Sequence, residues 1–352
     1  MKLWRTNNKE QDEIALQVEK FTTGNDRDMD LYLARYDVQA SAAHAQMLAS
    51  IGLLTQTELQ DVQKGLDIIL SSINEGNFII GEGVEDVHSE IEFRLTYLIG
   101  EAGKKVHSGR SRNDQSLTAI KLFLRDELKE IASGVDALFQ VLMQRSEQHK
   151  QDLMPGYTHT QLAMPSSFGL WFAAWAESLS DDMELLIAAY NVVNRNPLGS
   201  AAGYGSSFPI DRELTTELLN FGGMNVNVVY AQMTRGKTER MVATAIAGIA
   251  ATLSRLSADV CMYCSQNMGF LSFPAAFTTG SSIMPHKKNL DVFELVRARC
   301  NALQALPNQL TLLANNLISG YHRDMQLTKE YLFPALQQTK QCIEMVSIAL
   351  RE

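Results

Sequence analysis

One segment of the sequence limits the possible folds more than any other. Between Asn113 and Gln151 the chain has no proline and a single glycine, Gly134. Apolar side chains recur along this segment at a step of seven and then alternately of four and three residues, at Leu117, Leu124, Leu128, Ile131, Val135, Leu138 and Leu142. Such spacing is typical of a helix that packs lengthwise against its neighbours. It predicts one helix of about 40 residues, about 55 Å long.

The remaining sequence is also typical of helices, because alternation of apolar and polar residues with period two is almost absent. A second long helix is predicted from Pro165, a residue favoured in a first helical turn, to about Asn194. Further helices are predicted over about 28–50, 238–267 and 290–318. Another is predicted to begin at the capping box of Thr55 and Glu58, and a last one to begin near residue 335. We therefore predict an all-α fold.

The helix lengths suggest two domains. Residues 1–106 are predicted to form a small N-terminal helical domain with short helices, and residues 107–352 a central domain built as a bundle of long helices. No change of composition marks a third domain.

Composition and charge exclude several classes of partner. The net charge is −9, and the 31 lysines and arginines are dispersed, so no basic surface for nucleic acid or for an anionic membrane is expected. The N-terminus has no apolar run, and the most apolar stretch, Met241 to Leu253, is too short to span a bilayer. We expect a cytoplasmic protein that acts on a small molecule.

The four cysteines are too few and too scattered to form a disulfide framework. Cys261 and Cys264 form a CxxC pair, but they lie within a helical pattern and lack a second pair at zinc spacing. We expect them to be small apolar side chains of the core, and we expect no metal.

Polar, glycine-containing clusters interrupt the helices at 107–115 (HSGRSRNDQ), 154–165 (MPGYTHTQLAMP), 196–213 (NPLGSAAGYGSSFPIDRE) and 278–289 (TTGSSIMPHKKN). Each lies at a predicted helix end, where free backbone N–H groups can bind an anion. The third cluster is predicted to be a bent connection between helices.

The cluster at 278–289 matches neither of two common motifs. A phosphate-binding loop needs a glycine before its lysine and a hydroxyl residue after it, whereas His286 precedes Lys287 and Lys288 follows. The G-x-S-x-G pattern of a nucleophilic serine is also missing.

A less common chemistry fits this cluster better. A serine hydroxyl is a weak acid, but an ammonium group, backbone N–H groups and a helix N-terminus stabilise its alkoxide. Ser281 could then remove a proton from a carbon beside a carboxylate. Lys287 and Asn289 could hold that carboxylate and stabilise the charge that develops on it.

These motifs also carry a resemblance to a known family. The stretch GSSIMPHKKN resembles the G-S-S-x-M-P-x-K-x-N signature of the fumarase/aspartase superfamily, and GRSRNDQ with PGYTHTQ narrows the resemblance to the argininosuccinate lyases. It extends from about Phe21 to Lys329. Leu290 departs from the pattern, because most members carry proline there.

The resemblance implies catalytic roles for three residues. Ser281 would be the base, and His159 would act with Glu294 as its partner. The implied substrate-binding residues are Arg112, Asn113, Thr158, Lys287, Asn289, Tyr321, Gln326 and Lys329. The residues leave open whether His159 protonates the leaving nitrogen or only stabilises charge. The other histidines have no such support, and they are His44, His88, His107, His149, His286 and His322.

The resemblance further implies the cleavage of argininosuccinate to arginine and fumarate without a metal or organic cofactor. It implies a fumarase/aspartase-like homotetramer with a core of 20 helices and active sites shared between subunits. The long predicted helix agrees, because residues about 50 Å apart, such as Arg112 and His159, could not contact one substrate within a single chain.

The family's small C-terminal helical domain is expected to be absent from this chain. Two alternatives remain open: another fumarate-releasing lyase of the superfamily, such as an adenylosuccinate lyase, or a non-catalytic, crystallin-like structural protein.

Overall fold

The computed structural model describes residues 9–81 and 83–352, so the first eight residues, which belong to the N-terminal stretch considered above, lie outside it. Six helices precede the long central one: α1 Lys9–Thr23, α2 Asp26–Leu31, α3 Ala34–Ser50, α4 Gln56–Asn74, α5 Val87–Ile99 and α6 Glu101–Lys105. The later helices are α7 Arg112–Gln148, α8 Phe168–Val193, α9 Arg212–Leu218, α10 Val228–Met233, α11 Lys237–Tyr263, α12 Asp291–Leu303, α13 Leu306–Leu313 and α14 Thr328–Ala349. Strands β1 Leu153–Thr158 and β2 Gln161–Ser167 lie between α7 and α8.

The long helix predicted from the leucine spacing is confirmed as α7, which has 37 residues. The seven apolar residues of the predicted seam are all at most 2% exposed, so this face of the helix is buried along its length. At its start, the Ser111 N–H donates to Asp114 Oδ1 at 2.8 Å, and the Asn113 N–H donates to Ser111 Oγ at 3.3 Å. These bonds satisfy N–H groups that a helix start leaves free.

The prediction that a helix begins at Pro165 is wrong. This residue lies in β2, which pairs with β1 in an antiparallel hairpin, and α8 begins at Phe168. In the hairpin Pro165 lies opposite Pro155, so two residues without an N–H face each other and no ladder hydrogen bond from either is lost. The two strands are short and mostly exposed, and their sequences show no alternation of apolar and polar residues that would indicate a strand.

Other helix boundaries also differ from prediction. The segment 28–50 is divided into α2 and α3, and the segment 290–318 into α12 and α13. The last helix begins at Thr328 rather than near residue 335, and it contains Pro334. The capping box of Thr55 and Glu58 is confirmed, because each side chain accepts from the other residue's backbone N–H.

The chain forms two compact units. The described residues of the first unit lie between 9 and 125, over 191–238 and over 313–330. Here α3, α4 and α5 pack around buried side chains such as Leu48, Leu66, Ile69, Ile91 and Leu95. The predicted division of the chain at residue 106 stays a prediction.

The second unit comprises 126–190, 239–312 and 331–352. Close packing of its helices depends on Gly169, because a Cβ there would lie 2.6 Å from the Lys150 Cα and from the Ser146 carbonyl oxygen. Within the same unit, Trp171 Nε1 donates to Asp259 Oδ2 at 3.1 Å, which joins α8 to α11.

Helix α11 is long and apolar enough to cross a membrane by length and composition alone. However, 61% of its most apolar 18-residue window is buried inside the protein, and residues such as Ile246, Ile249 and Leu253 are fully buried. It is a core helix.

Candidate functional site

The first unit contains a cavity of about 180 Å³ that collects five of the predicted substrate-binding residues. Its wall includes Arg112, Asn113, Tyr321, Gln326 and Lys329. The first two lie at the start of α7, and the other three lie in or beside the segment that leads into α14. Folding therefore brings together residues that are about 200 positions apart in the sequence.

Arg112 is held in place by its own chain. Its guanidinium lies 3.3 Å from Asp86 Oδ2 and 3.4 Å from Glu92 Oε2, and it donates to Gln115 Oε1 at 2.7 Å. Burial alone would raise the pKa of Glu92, but a hydrogen bond with His107 and the charge of Arg112 outweigh burial and lower that pKa to about 2. Burial would also raise the pKa of Asp86, but the charges of His88 and Arg112 lower it, so both carboxylates stay ionised and fix the guanidinium.

Lys329 lies deeper, with only 5% of its surface exposed. Its ammonium group lies 2.6 Å from Asp26 Oδ1 and also contacts the Asp30 carboxylate. Asp30 accepts a further hydrogen bond from the Val87 N–H at 3.2 Å. Burial raises the pKa of Asp26 despite the opposing charge of Lys329. This group of two carboxylates and one ammonium is a buried charge cluster.

Gln326 and Arg323 connect the cavity to the end of α1. Gln326 Nε2 donates to the Thr22 carbonyl oxygen at 2.9 Å, and the Arg323 guanidinium lies 3.3 Å from Glu85 Oε1. Together with Arg112, Arg235 and Lys329, Arg323 gives the cavity wall four cationic side chains. The wall also contains the carboxylates of Asp26, Asp30, Glu85 and Asp86, so it suits a ligand that carries both carboxylates and cationic groups.

Sequence reasoning missed several residues of this wall, namely Asp26, Asp30, Asp86, His88, Arg235 and Arg323. The sequence contains a weak signal for three of these residues. Asp26 and Asp30 belong to the acidic run TTGNDRDMD, and Asp86 caps α5 by accepting from the Ser89 N–H at 2.7 Å. Neither pattern by itself distinguishes a ligand-binding wall from a solvated helix start.

Ser281, the predicted catalytic base, lies in the second unit, in a loop whose two ends are joined by hydrogen bonds. The Thr279 N–H donates to the Asn289 carbonyl oxygen at 2.9 Å, and the Asn289 N–H donates back at 2.8 Å. Leu290 follows with only 8% of its surface exposed, and α12 begins one residue later. We define residues 280–288, between these paired residues, as the serine loop.

Within the serine loop, Ser281 Oγ accepts from two backbone N–H groups, those of Met284 at 3.2 Å and Ile283 at 3.4 Å. Two N–H donors directed at one hydroxyl oxygen favour its alkoxide form. Lys287 lies in the same loop and is exposed. The role of Ser281 as a base stays a prediction, and this geometry suits it.

Thr158 and His159 lie at the turn of the hairpin, where both are exposed. The turn residues His159 and Thr160 have φ angles of 52° and 58°, and the Thr158 and Gln161 Cα atoms face each other. Two positive φ angles define a type I′ turn, which normally requires Asn or Gly. In the part of the chain that the structure describes, no hydrogen bond or ion pair joins the His159 ring to Glu294.

The cluster at 196–213 forms a bent connection, as predicted. Its residues Gly199, Ala201, Gly203 and Gly205 all have positive φ angles. The buried carboxylate of Asp114 accepts from the N–H groups of Gly199 at 2.9 Å and Ala201 at 2.8 Å. The connection is thereby fixed to the start of α7.

Cys261 and Cys264 are free thiols of intermediate exposure, rather than the buried small side chains of the core that the sequence predicted. Burial raises the pKa of both thiols, that of Cys264 to about 11. Among the described residues, no group of three or more His, Cys, Asp or Glu side chains is arranged to hold a metal ion.

Comparison with known proteins adds independent findings. A family model described as a lyase matches residues 13–304. The argininosuccinate lyase of Bacteroides thetaiotaomicron is 59% identical over 340 residues, which is 97% of this chain and 76% of that protein. The argininosuccinate lyase of Thermotoga neapolitana is 40% identical over 94% of this chain and 83% of that protein.

Two solved structures share the fold. An EDDS lyase in complex with formate has a TM-score of 0.77 and 25% identity, over 94% of this chain and 66% of that chain. A class II fumarase from Schistosoma mansoni has a TM-score of 0.82 and 19% identity, over 95% of this chain and 80% of that chain, a likeness that concerns the fold alone. The predicted all-α, fumarase/aspartase-like fold is confirmed.

Proposed function

Since the chain belongs to the argininosuccinate lyases, within the lyase family whose model matches residues 13–304, we propose that it cleaves argininosuccinate to arginine and fumarate by β-elimination. The observation that carries this proposal is the cavity of the first unit. There Arg112, Asn113, Tyr321, Gln326 and Lys329 converge on one space whose wall carries both cationic and acidic side chains. Argininosuccinate carries three carboxylates, which such a wall can bind.

The reaction begins at the succinyl part of the substrate. Ser281 Oγ removes a proton from the carbon beside a carboxylate, and the electron pair is delocalised into that carboxylate. Lys287 and Asn289 bind the same carboxylate and stabilise its second negative charge. The delocalised electron pair then forms the C=C bond of fumarate, the bond between carbon and the guanidino nitrogen breaks with its own electron pair leaving on nitrogen, and an acid protonates that nitrogen to give arginine.

His159 is the proposed source of that proton or the group that stabilises the charge on the leaving nitrogen. Glu294 is its proposed partner, and Thr158 a substrate contact. All three are exposed within one chain, so we propose that they gain their contacts on assembly.

The proposed assembly is a homotetramer with a core of 20 helices and shared active sites. The length of α7 supports it, because 37 helical residues extend over about 55 Å. The GRSRNDQ motif lies at the first end of this helix and the hairpin follows its last residue, so we propose that different subunits bring the two motifs together.

The same proposal includes a cytoplasmic location, a reaction without metal or organic cofactor, and no role for nucleic acid or a membrane. It also includes the division into an N-terminal helical domain, residues 1–106, and a central bundle, residues 107–352. The relatives do not favour the adenylosuccinate or crystallin-like alternatives.

One assay tests the proposed activity. Purified protein is mixed with argininosuccinate, and the fumarate released is followed by its ultraviolet absorbance. We expect turnover of argininosuccinate and none of adenylosuccinate. Turnover of adenylosuccinate alone would assign a different substrate, and turnover of neither would favour the structural protein.

A further inference from the structure

His88 has no role in the proposed mechanism, yet it forms part of the cavity wall and is only 2% exposed. Its Nδ1 lies 2.8 Å from Asp37 Oδ1, and Asp37 is fully buried. Gln115 Nε2 donates to the same Asp37 oxygen at 3.0 Å, while Gln115 Oε1 accepts from Arg112 at 2.7 Å. A continuous hydrogen-bond chain therefore links His88 to Arg112, and it fixes the orientation of the imidazole.

The other ring nitrogen of His88 is not satisfied. Nε2 is buried and, among the described residues, has no hydrogen-bond partner. Because buried polar atoms are nearly always paired, an unpaired atom on a residue of the cavity wall points to a ligand that completes its bonding.

The charges around His88 decide which kind of ligand fits. Burial by itself would lower the pKa of His88, but the carboxylates of Asp37 and Asp86 outweigh burial and the nearby Arg112, and they raise that pKa. A protonated imidazole carries a hydrogen on Nε2. In that protonated form, the nitrogen without a partner is a charged donor.

We propose that His88 is a substrate-binding residue whose Nε2–H donates a hydrogen bond to a carboxylate of the bound substrate, beside Arg112. Asp37 acts as a positioning residue that holds the ring through Nδ1. This assignment rests on the proposed function, which brings a ligand with several carboxylates into the cavity. Charged donors form the stronger class of hydrogen bonds with carboxylates.

Two substitutions distinguish the roles of the two ring nitrogens of His88. The side-chain nitrogen of His88→Asn lies near the position of Nδ1, so this variant can still contact Asp37 but loses the donor at Nε2. The amide of His88→Gln reaches the position of Nε2. We expect His88→Asn to raise KM for argininosuccinate, and to weaken fumarate binding in calorimetry, by about 10- to 100-fold. His88→Gln should recover much of the loss.

His44 offers a matched control, because it is also fully buried, and its Nε2 donates to the Ser108 carbonyl oxygen at 2.8 Å outside the cavity wall. His44→Asn is expected to change KM and fumarate affinity by less than about twofold. Thermal unfolding of all three variants separates binding from folding.

A second measurement does not depend on stability. Fumarate affinity of the wild-type protein should fall as the pH rises through the raised pKa of His88, because the donor is then lost. The charged groups acting on this histidine are Asp37 from α3, Asp86 before α5 and Arg112 from α7. In His88→Gln this pH dependence should disappear.

Equal effects of His88→Asn and His44→Asn on KM and fumarate binding would overturn the assignment, and so would equal effects of His88→Asn and His88→Gln. If wild-type protein turns over argininosuccinate in that case, the proposed function stands without His88. If wild-type protein neither turns over argininosuccinate nor binds fumarate, both proposals fail.

Discussion

The cavity of the first unit and the serine loop of the second unit differ in how much of their arrangement the chain itself provides. In the cavity, Lys329 is 5% exposed and contacts two carboxylates, and Arg112 contacts two more. In the serine loop, Lys287 is exposed, and the Ser281 hydroxyl accepts only from N–H groups of its own loop. One set of residues is held by ion pairs within the fold, whereas Ser281 of the other set has contacts only within its own loop.

The largest expected effect belongs to the loop. Ser281→Ala removes the proposed base, and positioned bases contribute about 10²- to 10⁴-fold to a rate. We expect kcat for argininosuccinate to fall by about 1000-fold with no change in thermal unfolding, because this hydroxyl bonds only within its loop. Ser282→Ala changes the adjacent, exposed serine and serves as the control, with kcat within about threefold of wild type. Full turnover by Ser281→Ala would show that Ser281 is not the base.

Substitution of two lysines compares the cavity and the serine loop directly. Lys329→Met leaves Asp26 and Asp30 buried without their cation, which should lower the free energy of unfolding by about 3 kcal/mol. Lys287→Met changes an exposed side chain and should leave stability within about 0.5 kcal/mol of wild type. Urea unfolding measures both, and both variants should lose activity. Equal stabilities of the two variants would contradict the difference between the two regions.

The charges around Arg112 can be tested by pH. The pKa of Glu92 is lowered from 4.5 to about 2 in the folded protein, so its contribution to stability is complete above about pH 4.5 and is lost as the pH falls through about 2. The contribution is at most about 3 kcal/mol. Glu92→Gln should therefore flatten the acid limb of a stability curve measured by urea unfolding.

The exposed side chain of Glu101 lies in the same unit, and Glu101→Gln is the control for this experiment. Its acid limb should match that of wild type. If Glu92→Gln gave the same acid limb as Glu101→Gln, the ion pairs of Glu92 would contribute nothing to the fold.

The smallest effect is expected in the hairpin. Thr160 has a φ of 58°, which is strained for a β-branched residue, and glycine adopts this conformation without strain. Thr160→Gly should raise the free energy of unfolding by about 1 kcal/mol. Thr158→Gly, in the adjacent extended strand, should lower it. A loss of stability in Thr160→Gly would mean that the turn has a different conformation.

The parts of this fold that depend on periodicity could be predicted from the sequence. Helix α7 and its buried seam follow from a repeat that only one face of a helix can satisfy. The hairpin could not be predicted, because its strands show no alternation of apolar and polar residues and Pro165 is equally typical of a helix start.

The candidate site likewise contains residues that the sequence predicts and residues that only the fold reveals. Arg112 and Lys329 stand in recognisable motifs, and the cavity contains both. His88 carried no signal, because its significance depends on Asp37, a residue 51 positions away that only the fold brings next to it. The contact expected between His159 and Glu294 is not formed within one chain, so sequence alone does not locate it.

We propose that each active site combines the cavity of one subunit with the serine loop of another, and this proposal can be tested most directly. Asn113→Ala in the cavity and Ser281→Ala in the loop are each expected to be inactive with argininosuccinate. Mixed under conditions of subunit exchange, they should regain roughly a quarter of wild-type activity, because some sites then receive an intact cavity and an intact loop from different chains. No recovery after exchange has been verified by mass would contradict the claim and place each whole site within a single chain.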